Sequence, residues 1–310
     1  MGVLSTDNWQ LNTREEDGKI YVTGVLKDGG SVLNIPGNFD DKPIAGIDKK
    51  AFFASNMLKE VNLHKTVKEI GDWAFSRCPL LKTFSIDTDD ETLSVEMGRG
   101  IFEGSARLES IKLIGGSDKD IMPLAAACAV RLPAAYLLRD KDFGSKTWYA
   151  RFDMALLSFL AQDDHEGSSN SILCGEEDIS YDGIGSVDGE LLGETAAFVR
   201  EVGKNKCYLA LIRLLNPGEL SDNTRNKLVD YLRERQIGTA SGSAWNCIKE
   251  DFDDNCDIFT FYLDITKPGP EELDLMLSDL KGEHAQSRVV IINYKSNITE
   301  KAALFDGLFL

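Results

Sequence analysis

The sequence predicts an α+β chain in which a short, β-rich solenoid with an N-terminal hairpin cap precedes an all-α domain of stacked helical hairpins. Three observations predict it. Apolar residues recur with fixed spacing between residues 47 and 113. The apolar period changes from two to about 3.6 residues after residue 118. Two helical pairs farther along contain the same Pro-Gly dipeptide. We therefore expect a solenoid at residues 1–117 and a helical domain at residues 118–310.

The repeat is defined by one aromatic position and three apolar positions that follow it. Phe52 recurs as Phe75 after 23 residues and as Phe102 after a further 27. The apolar positions keep the same offsets: Leu58, Val61 and Leu63; Leu81, Phe84 and Ile86; Leu108, Ile111 and Leu113. The longer second interval indicates an insertion, most simply in the acidic run 87–91. A period of 20–29 residues with a strand of this spacing is typical of a leucine-rich-repeat solenoid.

Each repeat is predicted to form one coil that buries its apolar side only against its neighbours. Val61 and Leu63 alternate inward from a short strand, while Glu60 and Asn62 point outward. Burial of one Phe stabilises a fold by roughly 1.5–3 kcal/mol. We therefore expect two internal ladders, one of Phe52, Phe75 and Phe102 and one of Leu63, Ile86 and Leu113.

The second copy closely resembles the bacterial surface-antigen repeats known as BspA-like, or Treponema pallidum-type, leucine-rich repeats. Their coils have the pattern Ile-Gly-x-x-Ala-Phe-x-x-Cys-x-x-Leu, and the matching residues are Ile70, Gly71, Ala74, Phe75, Cys78 and Leu81. The other two copies depart from this pattern at Asp48, Ser55, Met97, Ile101 and Ser105. The resemblance implies a bacterial repeat protein, and its arrays commonly begin with a cap.

The cap is predicted from alternating runs on either side of a turn. Trp9–Thr13 and Ile20–Thr23 flank Asp17-Gly18, a dipeptide that favours a hairpin. A further strand is expected at Val32–Ile35, and the turn-rich segment 114–117 marks the end of the solenoid.

The second half is predicted to be helical, in the manner of ankyrin or HEAT-like arrays. The expected helices are 121–139 with a break or start at Pro133, 148–160, 194–202, 204–215, 221–235, 244–252, 257–265, 271–281 and 285–295. Ser221 is a candidate N-cap. The β-branched run 289–292 favours a strand by propensity, but the resemblance to similar repeat proteins favours a helix there.

Charge excludes one class of partner. The chain has 34 Lys and Arg against 51 Asp and Glu, for a formal net charge of −17. Residues 1–117 hold 14 basic and 18 acidic residues, and residues 118–310 hold 20 and 33. A field of this sign disfavours nucleic acid and favours a protein partner with a basic or mixed-charge surface.

The sequence shows neither a membrane span nor the features of a secretory signal, and it has no paired-cysteine motif. No apolar run reaches the 18 residues that a membrane span needs, and the N-terminus has no secretory signal. We expect a cytoplasmic protein, or an exported or surface protein if a leader has been removed. The six cysteines form no C-x-x-C pair, so we expect reduced, unpaired thiols and no zinc site.

Two acidic segments are the candidates for a metal site. Residues 163–166 read Asp-Asp-His-Glu, with no second ligand cluster at a supporting spacing. Residues 251–257 resemble the start of an EF-hand, but Cys256 occupies the position that needs Gly and Tyr262 the position that needs Glu. No phosphate loop or nucleophile elbow occurs. We expect no enzyme activity and no cofactor, with a metal-dependent or hydrolytic enzyme in the helical half as the alternative.

The remaining candidate is the outward face of the repeat strands, because these positions align into one surface in a solenoid. The predicted binding residues are Glu60, Asn62, His64, Thr83, Ser85, Asp87 and Lys112. Mixed charge with His and Thr suits recognition of a protein or a glycan. We expect a non-catalytic macromolecular interaction module, and a purely architectural spacer is the other alternative.

Overall fold

A computed structural model describes residues 2–87, 95–113, 120–139, 142–164, 189–252, 255–280 and 284–307. The chain divides into two compact units, one of residues 1–159 with 215–220 and one of residues 160–214 with 221–310. Residue 117, the expected boundary, lies within the first unit, and the division into a solenoid at 1–117 and a helical domain at 118–310 stays a prediction. The insertion expected at 87–91 lies almost wholly outside the described residues.

The first unit contains eleven described strands in two sheets. The strands are β1 (Gly2–Thr6), β2 (Trp9–Glu16), β3 (Lys19–Lys27), β4 (Val32–Ile35), β5 (Asn38–Phe39), β6 (Lys42–Ile47), β7 (Glu60–His64), β8 (Glu69–Ile70), β9 (Thr83–Asp87), β10 (Glu96–Met97) and β11 (Ser110–Lys112). One sheet has the order β1-β2-β3-β6-β8-β10 with β5 beside β6, and the other has the order β11-β9-β7-β4. From β3 and β4 onward the repeat strands pair in parallel, confirming the solenoid.

The N-terminal strands form the predicted cap. Strands β2 and β3 pair antiparallel around Asp17-Gly18, and β1 adds a strand that the sequence did not predict. Trp9 covers the first coil. Its indole packs edge-on against Phe52, with ring centroids 6.2 Å apart, and its Nε1 donates a hydrogen bond to the Val32 carbonyl at 2.7 Å. The cap therefore contributes a large buried side chain to the solenoid core.

The two internal ladders are confirmed. Phe52 and Phe75 stack with ring centroids 5.1 Å apart and planes 1° apart, and Phe102 stacks on Phe75 at 6.2 Å. Phe84 packs edge-on against both Phe75 and Phe102. The three residues of the aliphatic ladder are also buried: Leu63, Ile86 and Leu113. Each ring thus stabilises its own coil and the coils beside it.

Neighbouring coils approach closely at Gly71. A Cβ at this position would lie 2.5 Å from the backbone nitrogen of Lys49 and 2.8 Å from the carbonyl carbon of Asp48. The repeat therefore needs glycine here for a packing reason.

A helix closes the far end of the solenoid. The helix α1 (Ile121–Val130) packs against β11, and a 3₁₀ turn follows at Ala135–Arg139. The break between them includes Pro133, as the sequence predicted. Helix α2 (Lys146–Ala161) holds Trp148, whose Nε1 donates to the Leu137 carbonyl at 2.9 Å. These helices belong to the same compact unit as the solenoid, apart from the last two residues of α2.

The remaining helices carry most of the second unit. They are α3 (Gly189–Leu215), α4 (Asp222–Arg233), α5 (Ser243–Asp251), α6 (Cys256–Thr266), α7 (Pro270–Asp279) and α8 (Ala285–Gly307). Ser221 caps α4 by accepting a hydrogen bond from the Thr224 backbone, as predicted. Residues 289–292 are helical, which confirms that prediction. No helix in the described residues is long and apolar enough to cross a membrane.

One helix prediction was wrong. The sequence suggested separate helices at 194–202 and 204–215, divided at Gly203, but α3 runs through both. A Cβ at Gly203 would lie 2.7 Å from the Ser243 hydroxyl at the start of α5. This glycine therefore provides room for a neighbouring helix and does not end its own.

Candidate functional site

The outer face of the four-stranded sheet carries all seven predicted binding residues. Strand β7 carries Glu60, Asn62 and His64. Strand β9 carries Thr83, Ser85 and Asp87, and β11 carries Lys112. The intervening side chains of these strands are buried, so the seven share the opposite face. We call these seven residues the strand face.

The parallel register aligns polar side chains across the coils. Asn34 pairs with Asn62, Asn62 with Ser85, and Ser85 with Lys112. Asn62 Nδ2 donates to Asn34 Oδ1 at 2.9 Å and to Glu60 Oε1 at 2.8 Å. Ser85 Oγ donates to Asn62 Oδ1 at 2.6 Å. Asn62 therefore links three strands and fixes the orientation of its neighbours.

His64 has a defined ring position on this face. Its Nδ1 accepts a hydrogen bond from the Thr66 backbone N–H at 3.2 Å, which assigns the ring proton to Nε2 in the neutral form. The ring lies against Gly37, where a Cβ would be 2.7 Å from Cε1. Asp87 is the register partner of His64 on the next strand.

The strand face combines exposed and half-buried side chains. Thr83 and Asp87 are exposed, whereas the other five are half-buried. Thr83 and Asp87 are therefore accessible to a partner, and the hydrogen-bonded residues around Asn62 form an ordered surface next to them. That these residues bind a partner stays a prediction.

Sequence reasoning missed Asn34, which extends this polar row, and the two cap residues that bond to it, Thr6 and Asp7. Asn34 precedes Asn62 by one coil, and its Nδ2 donates to Asp7 Oδ2 at 2.8 Å. Thr6 Oγ1 of β1 also donates to the Asn34 carbonyl at 2.8 Å. The offset of 28 residues between the two asparagines was a usable signal, but the contact with β1 depends on the path of the cap.

The metal-site alternative rests on acidic residues, and several of these have other partners. Asp164 Oδ1 accepts from Lys206 Nζ at 2.6 Å, and the same ammonium donates to the Gln162 carbonyl at 2.6 Å. His165 and Glu166 lie outside the described residues, as do Asp253 and Asp254. Within the described ranges, no group of three His, Cys, Asp or Glu side chains is placed to hold a metal.

The second acidic segment begins a helix. Asn255 Oδ1 accepts hydrogen bonds from the backbone N–H groups of Asp257 at 3.1 Å and Ile258 at 3.2 Å, and so caps α6. Cys256 and Tyr262 are helical residues of α6. An EF-hand loop cannot extend through these positions, because a helix already occupies them.

The five described cysteines are thiols and not half-cystines, and Cys174 lies outside the described residues. Cys78, Cys128, Cys207 and Cys247 are buried, whereas Cys256 is half-buried. Burial raises the pKa of the Cys78 thiol to about 11 and that of Cys207 to about 12. Burial also raises the pKa of Cys128.

Among the described cysteines of the native protein, a maleimide reagent at pH 8 should therefore label Cys256 before the four buried thiols. The attacking species is the thiolate, and a raised pKa keeps Cys78 and Cys207 protonated until the pH approaches 11 and 12. Peptide mapping of labelled sites with time measures this order. Labelling in urea is the control and should make the rates similar. Equal native rates at Cys78 and Cys256 would contradict the burial.

The comparisons with known proteins concern the repeat half. Residues 37–120 match the description "BspA type Leucine rich repeat region", in six copies. This segment is a BspA-type leucine-rich-repeat region. No curated protein matches the chain significantly.

Several solved structures are similar over about a third of this chain. A leucine rich cell surface protein from Faecalibacterium prausnitzii is 22% identical over 36% of this chain and 30% of that one, with a TM-score of 0.29. A leucine-rich repeat protein from Bacteroides capillosus is 21% identical over 36% and 99%, with a TM-score of 0.28. The T. pallidum leucine rich repeat protein is 17% identical over 37% and 83%, with a TM-score of 0.22. The match spans less than a third of the F. prausnitzii chain.

The BspA-type cysteine position has a structural role in this array. Cys78 Sγ donates to the Phe52 carbonyl at 3.3 Å, across to the preceding coil. At the matching position of the next coil, Ser105 Oγ donates to the Phe75 carbonyl at 2.8 Å. Both side chains thus bond a backbone carbonyl of the preceding coil, and the Phe52 carbonyl also accepts from the Ser55 backbone N–H at 3.3 Å. The serine of the third copy therefore preserves the function of the cysteine.

Proposed function

We propose that this chain is a non-catalytic protein-interaction module whose strand face contacts the partner. The observation that supports it is the hydrogen-bonded row centred on Asn62, which orders Glu60 and Ser85 before any partner arrives. Ordering a side chain at an interface costs roughly 0.5–1.5 kcal/mol, and a face that is already ordered avoids much of that cost.

The partner is proposed to have a basic or mixed-charge surface. The excess of 33 acidic over 20 basic residues in 118–310 creates a negative field, and complementary potential mainly accelerates association. The strand face itself carries two acidic residues, Glu60 and Asp87, and one basic residue, Lys112. This mixture suits a partner whose surface has charges of both signs. Association should slow as salt rises, because surface charge is screened over about 8–10 Å at physiological salt.

Replacing Glu60, Asn62 and Thr83 together by alanine should raise the dissociation rate of the native partner about tenfold, or ~1.4 kcal/mol. The triple variant removes the ordered donor, its carboxylate acceptor and an exposed neighbour. The partner is captured from an extract of the source cells on the immobilised chain and identified, and surface plasmon resonance then gives both rate constants.

The matched control is Lys19→Ala/Lys27→Ala, which changes two exposed residues of the hairpin cap and should leave dissociation unchanged. If the triple variant also leaves the dissociation rate unchanged, the strand face is idle and the array acts as a spacer.

A further inference from the structure

A second surface lies on the turns of the first two coils, away from the strand face. Lys49 Nζ lies 5.0 Å from the ring centroid of Trp73, and Lys50 Nζ lies 5.7 Å from the same ring. Lys50 Nζ and the Arg77 guanidinium carbon lie 5.5 and 5.7 Å from the ring centroid of Phe53. We call these five residues the cation–aromatic patch. Cations within about 6 Å of a ring centroid are attracted to the ring face.

The three cations of the patch have no ion pair within the part of the chain that the structure describes. The carboxylates of these turns and of the turn of the third coil have other partners. Asp48 accepts from Arg14 Nε at 2.6 Å and Nη2 at 2.9 Å. Asp72 Oδ1 accepts from the Arg99 backbone N–H at 2.7 Å, and Glu103 Oε2 accepts from Trp73 Nε1 at 3.0 Å. Although the chain has a net charge of −17, these three cations are available to pair with carboxylates of another molecule.

The backbone under these side chains is unusual. Lys50, Trp73 and Arg77 have φ values of 58°, 54° and 54°, in the left-handed region. The third coil has Gly100 and Gly104 at the matching positions, also with positive φ. A left-handed conformation costs a residue with a side chain roughly 1–2 kcal/mol. Such strain tends to persist where the side chain is used. Of the four matching positions in the first two coils, three carry a long cationic or aromatic side chain, and Ala54 occupies the fourth.

Apolar surface adjoins the cations. Phe53 is 40% exposed, and Met57, four residues farther along the chain, is 56% exposed. Aromatic residues, Met and Arg are enriched where proteins bind each other. A sulphated glycan would match the charge but would leave Met57 and the edge of Phe53 without an apolar partner.

We propose that the cation–aromatic patch binds an acidic polypeptide segment that carries apolar side chains among its carboxylates. The carboxylates pair with Lys49, Lys50 and Arg77, and an apolar side chain covers Phe53 and Met57. The acidic ligand distinguishes this surface from the strand face, for which a basic or mixed-charge partner is proposed. Failure of one proposal leaves the other intact.

The test uses the full chain and a fluorescein-labelled, glutamate-rich peptide that contains leucine, in fluorescence anisotropy at low salt. The variant Lys50→Gly/Arg77→Gly should weaken binding about tenfold, or ~1.4 kcal/mol. It places at 50 and 77 the residue that the third coil has at both matching positions, so the fold should be at least as stable. Lys19→Gln/Lys27→Gln also removes two positive charges, but from the exposed cap, and should leave binding within about twofold, because neither lysine belongs to the patch.

Two further probes complete the design. The same peptide with glutamine for glutamate should not bind, and a peptide with serine for leucine should bind more weakly. Equal affinity of the wild-type chain and Lys50→Gly/Arg77→Gly would overturn the proposal. So would binding of a heparin oligosaccharide that depends on the patch without binding of the acidic peptide, since the ligand would then be a glycan.

Discussion

Replacing Phe75 by alanine should lower the free energy of unfolding by about 3–5 kcal/mol, as truncation of a buried Phe usually does. Phe75 is fully buried and lies between the rings of Phe52 and Phe102, with Phe84 edge-on against it. Its loss removes apolar burial from one coil and stacking from both neighbours. Coils this close cannot collapse into the cavity, because the backbones already touch at Gly71.

Urea unfolding followed by circular dichroism measures the change in the free energy of unfolding. Phe53→Ala is the matched control: the same substitution one residue after Phe52, at a side chain that is 40% exposed, should cost less than half as much. If Phe75→Ala lowers the free energy of unfolding by less than about 1 kcal/mol, the change is outside the range for a fully buried ring. The stacked rings would then not be a main source of the stability of the solenoid.

The solenoid was predictable because stacking forces each coil to repeat the one before it. Val61 and Phe84 are 23 residues apart and pair in register on neighbouring strands. The repeat offset in the sequence therefore predicts the register of the sheet. The internal positions follow from apolar alternation alone. The residues of the strand face were predictable for the same reason, since they are the outward-facing positions that alternate with the buried apolar ones.

Features that depend on contacts distant in sequence were not predictable. The sequence assigned 121–139 to a helical domain, yet α1 packs against β11 at the end of the solenoid. Nothing in the composition of α1 distinguishes a helix that closes a solenoid from one that joins other helices. The Asp7 to Asn34 hydrogen bond and the room that Gly203 leaves for Ser243 likewise require the path of the chain.

The left-handed positions of the coils are an intermediate case. Gly100 and Gly104 suggested turns, but Lys50, Trp73 and Arg77 gave no such signal, because side chains of this kind rarely adopt positive φ. Alignment of the three copies reveals these positions. Gly100 and Gly104 of the third copy match residues of the other copies that also have positive φ. The cation–aromatic patch follows from this shared geometry and could not be derived from any one coil.

Replacing Asp164 by alanine should lower the free energy of unfolding of the helical unit by about 3 kcal/mol, at the lower end of the loss expected when one partner of a buried ion pair is removed. Lys206 Nζ lies 2.6 Å from Asp164 Oδ1, and the Lys206 side chain is fully buried. The same ammonium also donates to the Gln162 carbonyl at 2.6 Å, and this uncharged acceptor remains in the variant. The Asp164 side chain is 25% exposed, so water can replace part of its contribution.

The double variant Asp164→Ala/Lys206→Met separates charge from packing. Methionine fills the volume of the buried lysine stem without its charge, and replacement of a buried pair by apolar residues is often neutral or stabilising. We expect the double variant to lie within about 1 kcal/mol of the wild type, which makes the two substitutions strongly non-additive. Urea unfolding followed by circular dichroism at 222 nm, to which the helices contribute most, measures the change. If instead Asp164→Ala is neutral and the wild type is stabilised by added divalent cations, Asp164 serves the metal site of the alternative function and does not neutralise Lys206.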